Sequence, residues 1–241
     1  MSSRCAAIAI AVLYIATNFA TPASAQKLKS FDPTLGACEK AVGPPEDDSI
    51  IAARGWIVRC GDLDKDIENS EFATLHASEA KASKTESAAY AALITAFEKY
   101  RVLELELFEK GCGGGNSCGS ELIQEEARIN FGFLIMAEGF RNAGFPAFSE
   151  NEFADADAAL NRAYKESMSK YPSTCAPQGS ENYDQFCTSR LDLRAMERAW
   201  IGYRDAWVTF GGIKWPQISA DTWRAYLTRE RVKHGGDGTA D

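Results

Sequence analysis

Several residues of this chain are of types that could support catalysis. Paired carboxylates can hydrolyse glycosides, and the candidates here are Glu125, Glu126, Asp155 and Asp157. Helix surfaces are ordinarily rich in such residues, so this pattern alone has little weight. The glycines at 113–115 lack the Lys-Ser/Thr pair that completes a phosphate-binding loop. The only histidines are His76 and His234, and no Ser-His-Asp set or metal cluster is visible. We therefore predict a protein that is not an enzyme and binds no metal or cofactor.

Cysteines carry the clearest covalent chemistry. If Cys5 leaves with a signal peptide, an even set remains: Cys38, Cys60, Cys112, Cys118, Cys175 and Cys187. Six cysteines allow fifteen pairings. The spacing favours neighbour-to-neighbour bridges, Cys38–Cys60, Cys112–Cys118 and Cys175–Cys187, because the last two enclose loops rich in Gly, Pro, Ser and Asn. A zinc site is disfavoured, because the chain has no C-x-x-C and only two histidines.

The N-terminus has the order typical of a secretory signal peptide. Arg4 supplies a positive charge, an apolar stretch follows it, and Ala23-Ser24-Ala25 forms an A-x-A cleavage pattern. We predict a signal peptide at 1–25, with an uncleaved membrane anchor as the alternative. Disulfides persist in oxidising compartments, so we expect a periplasmic or secreted protein with no membrane span after cleavage.

The chain is acidic, with 26 Lys and Arg against 34 Asp and Glu and a net charge of −8. Because phosphate neutralisation by Lys and Arg dominates nucleic-acid binding, this balance argues against a nucleic-acid partner. It suits attraction of a cationic protein. It is equally consistent with a charge that only maintains solubility.

Hydrophobic periodicity predicts an all-α antiparallel helical bundle of two helical-hairpin units with disulfide-stapled loops. We expect Gly61 to lie near the end of the first helix and Gly211-Gly212 to break the fifth. Ser149 and Glu152 fit a capping box. The predicted helices are Asp47 to Cys60, Ser70 to Phe108, Ser120 to Asn142, Ser149 to Tyr171, Asp192 to Phe210 and Ser219 to Lys233.

The fifth helix carries an apolar seam at 3-4-3-4-3 spacing. Its members are Leu193, Met196, Trp200, Tyr203, Trp207 and Phe210. Positions 103 residues earlier are also mostly apolar: Tyr90, Leu93, Phe97, Tyr100, Glu104 and Leu107. Both stretches contain an aromatic-x-x-Tyr-Arg sequence, at 97–101 and 200–204, which suggests an internal repeat. Chance agreement of two amphipathic helices is the alternative.

Trp200, Tyr203 and Arg204 lie on or beside this seam. An aromatic stripe at helical spacing is usually core, so we interpret the motif as a packing device in preference to a ligand site. We expect the Arg204 stem to lie over the Trp200 ring. Glu230 on the last helix is one possible partner for its guanidinium group.

Three separated segments resemble the LprI-type lysozyme-inhibitor domain family. They are Asp157 to Tyr164 (DAALNRAY), Leu193 to Ala206 (LRAMERAWIGYRDA) and Thr222 to Arg231 (TWRAYLTRER). The matching motif residues, which we expect to be mainly structural, are Leu160, Asn161, Tyr164, Trp200, Tyr203, Arg204, Asp205 and Arg229. The chain departs from the family pattern at Glu197, where many members have glutamine, and in its Cys175–Cys187 loop. No lysozyme-contacting residue can be transferred to this sequence.

The resemblance implies an exported, non-catalytic binding protein of the cell envelope and a lysozyme inhibitor, with a cationic lysozyme as partner. The alternative function is an envelope structural or assembly factor that binds another exported protein. We divide the chain after the signal peptide into an N-terminal helical region (26–146), an LprI-like domain (147–234) and a tail (235–241).

Overall fold

A computed structural model describes residues 50–113, 118–142 and 148–235. Within these ranges it contains six helices and no strand, which confirms the predicted all-α fold. None of the helices in these ranges has the length and hydrophobicity needed to cross a bilayer. The helices are α1 (Ile50–Glu79), α2 (Lys84–Gly111), α3 (Cys118–Asn142), α4 (Glu150–Lys170), α5 (Arg190–Lys214) and α6 (Ala220–Gly235).

The centre of the bundle is the antiparallel pair α2 and α5. Tyr90 near the start of α2 packs against Phe210 near the end of α5, with ring centroids 5.5 Å apart. At the opposite ends, Lys110 donates a 2.9 Å hydrogen bond to Asp192. On either side of this pair, α1 packs on α3 and α4 packs on α6.

The two apolar seams predicted from the sequence face each other in this central pair. Tyr100 and Tyr203, which the 103-residue shift equates, stack with their ring centroids 5.3 Å apart. Trp207 lies further along the same seam, fully buried and stacked on Trp223 of α6. This arrangement accords with an internal repeat, although the repeat itself stays a hypothesis.

Two glycines that were expected to stop helices lie inside them instead. Gly61 is within α1, and Gly211 is within α5, which continues to Lys214. Their missing side chains allow close helix contacts. A Cβ atom on Gly61 would overlap the Ile123 side chain of α3, and one on Gly211 would overlap the Trp223 ring of α6. The predicted ends at these residues were therefore wrong, because both glycines serve packing.

The predicted long helix from Ser70 to Phe108 is divided in the structure. The chain leaves α1 after Glu79 and enters α2 at Lys84, with Ser83 accepting a hydrogen bond from the Glu86 backbone amide at 3.2 Å. Ser83 and Glu86 have the S-x-x-E spacing of a helix start. The Ala-, Lys- and Glu-rich composition of this stretch concealed that signal.

The predicted start of α4 and two of the three predicted disulfides are confirmed. Ser149 and Glu152 form the expected capping box at the start of α4. The Cys112–Cys118 bridge joins α2 to α3, and the Cys175–Cys187 bridge closes the loop between α4 and α5. The third predicted bridge requires Cys38, which lies outside the described residues, as do the predicted signal peptide and residues 236–241.

Candidate functional site

A groove of about 260 Å³ lies between α4 and α5. It exists because each of these helices packs mainly elsewhere, α4 on α6 and α5 on α2. Capping boxes fix the starts of both walls, at Ser149 for α4 and at Ser189 for α5. The groove is lined by Asp157, Leu160, Asn161, Tyr164, Arg194, Glu197, Arg198, Trp200, Ile201 and Arg204.

The floor of the groove is apolar and rigid. Leu160 and Trp200 are both buried, with Trp200 only 3% exposed. The Arg204 guanidinium carbon lies 5.3 Å from the Trp200 ring centroid and 5.8 Å from that of Phe153. The arginine thus packs on the tryptophan as the sequence predicted, through a cation–π contact.

Arg204 does not pair with Glu230, which the sequence offered as one possible partner. Its guanidinium group binds the Asp205 carboxylate at 3.1 Å and lies 3.9 Å from Asp157 across the groove. Glu230 instead pairs with Lys233 at 2.6 Å. The prediction was wrong because α4, rather than the last helix, faces Arg204.

The α4 wall is held by local hydrogen bonds. The Asn161 side-chain amide donates to the Asp157 backbone carbonyl and to its carboxylate, both at 2.9 Å. The Asp157 carboxylate therefore accepts a hydrogen bond from Asn161 and lies within ion-pair distance of Arg204. Its negative charge is already compensated inside the groove wall.

Glu197 is the other carboxylate of the groove, and it is turned toward a buried ionic network. Burial raises its pKa, an effect that Arg231 opposes from 3.8 Å. Arg231 is itself buried and binds Glu104 at 2.8 Å and the Tyr100 hydroxyl at 3.3 Å. Glu197 is thus paired with Arg231 of α6, which in turn links it to Glu104 and Tyr100 of α2.

Two arginines on the α5 wall differ from the charged groups described above, each of which has a partner of opposite charge. Arg194 and Arg198 are exposed, and within the described part of the chain neither makes a hydrogen bond or an ion pair. Sequence reasoning missed both of them. The available signal was their i,i+4 spacing on the outer face of the helix whose inner face carries the apolar seam.

The structure separates the eight predicted motif residues into two sets. Five of them line the groove: Leu160, Asn161, Tyr164, Trp200 and Arg204. Tyr203 faces the opposite way, onto Tyr100. Asp205 is exposed beside Arg204. Arg229 of α6 binds Glu152 at 3.2 Å and lies 4.5 Å over the Phe148 ring, so it fastens α6 to the start of α4.

The groove combines carboxylates that have partners with two guanidinium groups that have none among the described residues. Its two carboxylates are engaged by arginine and asparagine, and its two unpaired charges are guanidinium groups, which neither donate nor accept protons near neutral pH. Among the described residues no group of three or more His, Cys, Asp and Glu side chains could hold a metal ion.

Comparison with known proteins shows a family similarity in the segment that contains this groove. No curated protein and no solved structure matches the chain. A family model described as "Lysozyme inhibitor LprI" matches residues 141–234, a segment that contains α4, α5 and α6 but not the first half of the chain. Residues 141–234 are thus similar to this family, as the resemblance of the sequence motifs predicted.

Proposed function

We propose that this protein is an exported, non-catalytic binding protein that inhibits a lysozyme-type muramidase. The observation that carries the proposal is the match of residues 141–234 to a family described as lysozyme inhibitors. Both walls of the α4–α5 groove lie within that segment. Inhibition requires binding without turnover, which fits a groove whose carboxylates are already engaged.

The charge of the chain supports a muramidase partner of opposite sign. The net charge of −8 attracts a cationic enzyme over a distance of roughly one Debye length, about 8 Å at physiological salt. Such steering raises the association rate more than the final affinity. The short-range contacts must therefore come from particular side chains.

The disulfides support function outside the cytosol. The Cys112–Cys118 and Cys175–Cys187 bridges each close a connection between two helices, with Cα atoms 5.6 and 5.8 Å apart. Bridges of this kind persist in the oxidising periplasm or outside the cell. They accord with the signal-peptide pattern at residues 1–25 and with a periplasmic or secreted location.

We also propose that the two halves of the chain have different roles, one in binding and one in structural support. The domain at 147–234 contains the groove, and the region at 26–146 provides the surface on which α5 is buried. Tyr90, Phe97 and Tyr100 of α2 all contact aromatic rings of α5. The first half therefore covers the apolar face of α5, the helix that forms one wall of the groove.

The direct test is a lysozyme activity assay. Purified, oxidised protein is added in increasing amounts to lysozyme acting on cell walls, and the rate of clearing is measured. We expect the rate to fall in a saturable way as the protein approaches stoichiometric excess. An unrelated protein of similar net charge, added at the same concentrations, controls for non-specific electrostatic binding. Undiminished lysozyme activity at micromolar excess of folded protein would contradict the proposal.

A further inference from the structure

We infer that the exposed face of α5 beside the groove contacts the muramidase, and that its two arginines bind the carboxylates of the enzyme's catalytic cleft. This face, the arginine ridge, consists of Leu191, Arg194, Arg198 and Ile201. The inference rests on the proposed function and adds to it the residues that make the contact.

The ridge is a continuous stripe on one side of a rigid helix. The spacing of its residues is 3-4-3, which places them on one helical face. Its two apolar members are unusually open, Leu191 being 56% exposed and Ile201 39% exposed. With a rise of 1.5 Å per residue, the stripe is about 15 Å long. The opposite face of α5 is buried on α2, so the ridge is presented outward on a fixed support.

The ridge also carries charge that the protein itself does not balance. The nearest carboxylates on its own helix are engaged by other groups: Asp192 by Lys110 and Ser189, and Glu197 by Arg231. Across the groove, Asp157 serves Asn161 and Arg204. Arg194 and Arg198 thus remain as adjacent like charges without a partner in the described residues, on an otherwise acidic chain. Like charges at i,i+4 are unfavourable, and an incoming anion relieves them.

The catalytic cleft of a muramidase offers the complementary chemistry. Retaining glycosidases carry two carboxyl groups about 5–5.5 Å apart, flanking the bond that is cleaved. Residues four apart on a helix have their Cβ atoms about 5–6 Å apart. Guanidinium groups bind carboxylates through paired, charge-assisted hydrogen bonds. With their Cβ atoms this close, the long side chains of Arg194 and Arg198 can place one guanidinium group on each catalytic carboxylate, with Leu191 and Ile201 packing at the edges.

Helix α2 in the first half of the chain has a comparable exposed stripe, but that stripe carries no pair of arginines. The 103-residue shift that aligns the seams of α5 and α2 places exposed residues opposite all four ridge positions. These residues are Ala88, Ala91, Thr95 and Glu98. None of them is cationic, so the ridge is a property of the LprI-type segment and not of a bundle helix in general.

A charge-reversal experiment separates ridge contact from overall electrostatic attraction. The variant R194E/R198E makes the protein more acidic, so long-range attraction alone predicts equal or stronger inhibition of a cationic lysozyme. Direct contact of the ridge with cleft carboxylates predicts the opposite, a loss of at least about tenfold in inhibitory potency. The control R162E/K165E makes the same charge change at two exposed residues of α4 that do not line the groove, and it should inhibit at least as well as the wild type.

The possible outcomes are distinct. The inference is supported if the wild type and R162E/K165E inhibit lysozyme and R194E/R198E inhibits it at least about tenfold less. R194Q/R198Q should also lose inhibitory potency, but by a smaller factor. Equal inhibition by wild type and R194E/R198E overturns the ridge contact and leaves the proposed function standing. Absence of inhibition by the wild type overturns both. A soluble cell-wall fragment can be titrated into the wild type and R194E/R198E by calorimetry. If the fragment binds only the wild type while both proteins inhibit equally, the ridge binds that ligand and the contact with the enzyme is overturned. Circular dichroism confirms that each variant is folded.

Discussion

Replacing Gly211 by alanine should destabilise the protein, although alanine is the better helix former. Gly211 is buried in α5, and a Cβ atom there would lie 2.8 Å from Trp223 Nε1 and closer still to two ring carbons. Trp223 is fully buried between Trp207 and Trp215, with centroids 5.8 and 5.7 Å away, so it cannot move aside freely. Overpacking a core costs about 1–3 kcal/mol, while the gain in helix propensity is about 1 kcal/mol. We expect a net loss of up to about 2 kcal/mol.

The neighbouring Gly212 provides a matched control. It is exposed, and a Cβ atom there would have no neighbour within 4 Å. Gly212→Ala should therefore stabilise the protein by about 0.5–1 kcal/mol through helix propensity alone. Urea unfolding followed by tryptophan fluorescence measures both variants. If G211A were as stable as G212A, the close approach of α6 to α5 at Gly211 would be refuted.

Three further predictions concern buried polar groups. Burial raises the pKa of Glu68 to about 7 from its ordinary 4.5, so the unfolding free energy should fall as pH rises between these values. Glu68→Gln should remove up to about 3 kcal/mol of that fall, measured by urea unfolding at pH 5 and pH 8. Thr228 is fully buried and its hydroxyl has no partner among the described residues, so Thr228→Val should stabilise by about 1 kcal/mol in the same assay. Lys214 forms an ion pair with Glu79, which is 1% exposed. Lys214→Met should lower the unfolding free energy by about 3–5 kcal/mol in the same assay, because it leaves the buried carboxylate without this partner, and E79Q/K214M should recover part of the loss.

The sequence was a good guide wherever the signal was local. The capping box of Ser149 and Glu152 depends only on residues three apart, and the structure contains it. The two confirmed disulfides each close a short loop, and sequence proximity therefore favoured their pairing. The apolar seam of α5 was visible because its 3-4 spacing follows from helix geometry alone.

Glycines were misinterpreted because their role depends on a distant partner. Gly61 and Gly211 have the same missing side chain as a helix-ending glycine. Only the positions of Ile123 on α3 and Trp223 on α6 show that each glycine permits close packing. Sequence spacing contains no information about which helix lies opposite.

The groove was inaccessible from the sequence for a related reason. Leu160 and Trp200 are apolar residues at helical spacing and are indeed buried. They also line a groove, because α4 and α5 each pack mainly on another helix. Arg194 and Arg198 appeared to be ordinary surface charges until the structure showed the nearby carboxylates engaged elsewhere.

The proposed function depends on binding of this protein to a lysozyme. Isothermal titration of lysozyme into the purified, oxidised protein at physiological salt tests it most directly, since it needs no substrate and no assumption about how inhibition occurs. We expect a saturable one-to-one complex with a Kd in the micromolar range or below. A titration without saturable binding at that ionic strength, with the protein shown to be folded and its disulfides intact, would contradict it.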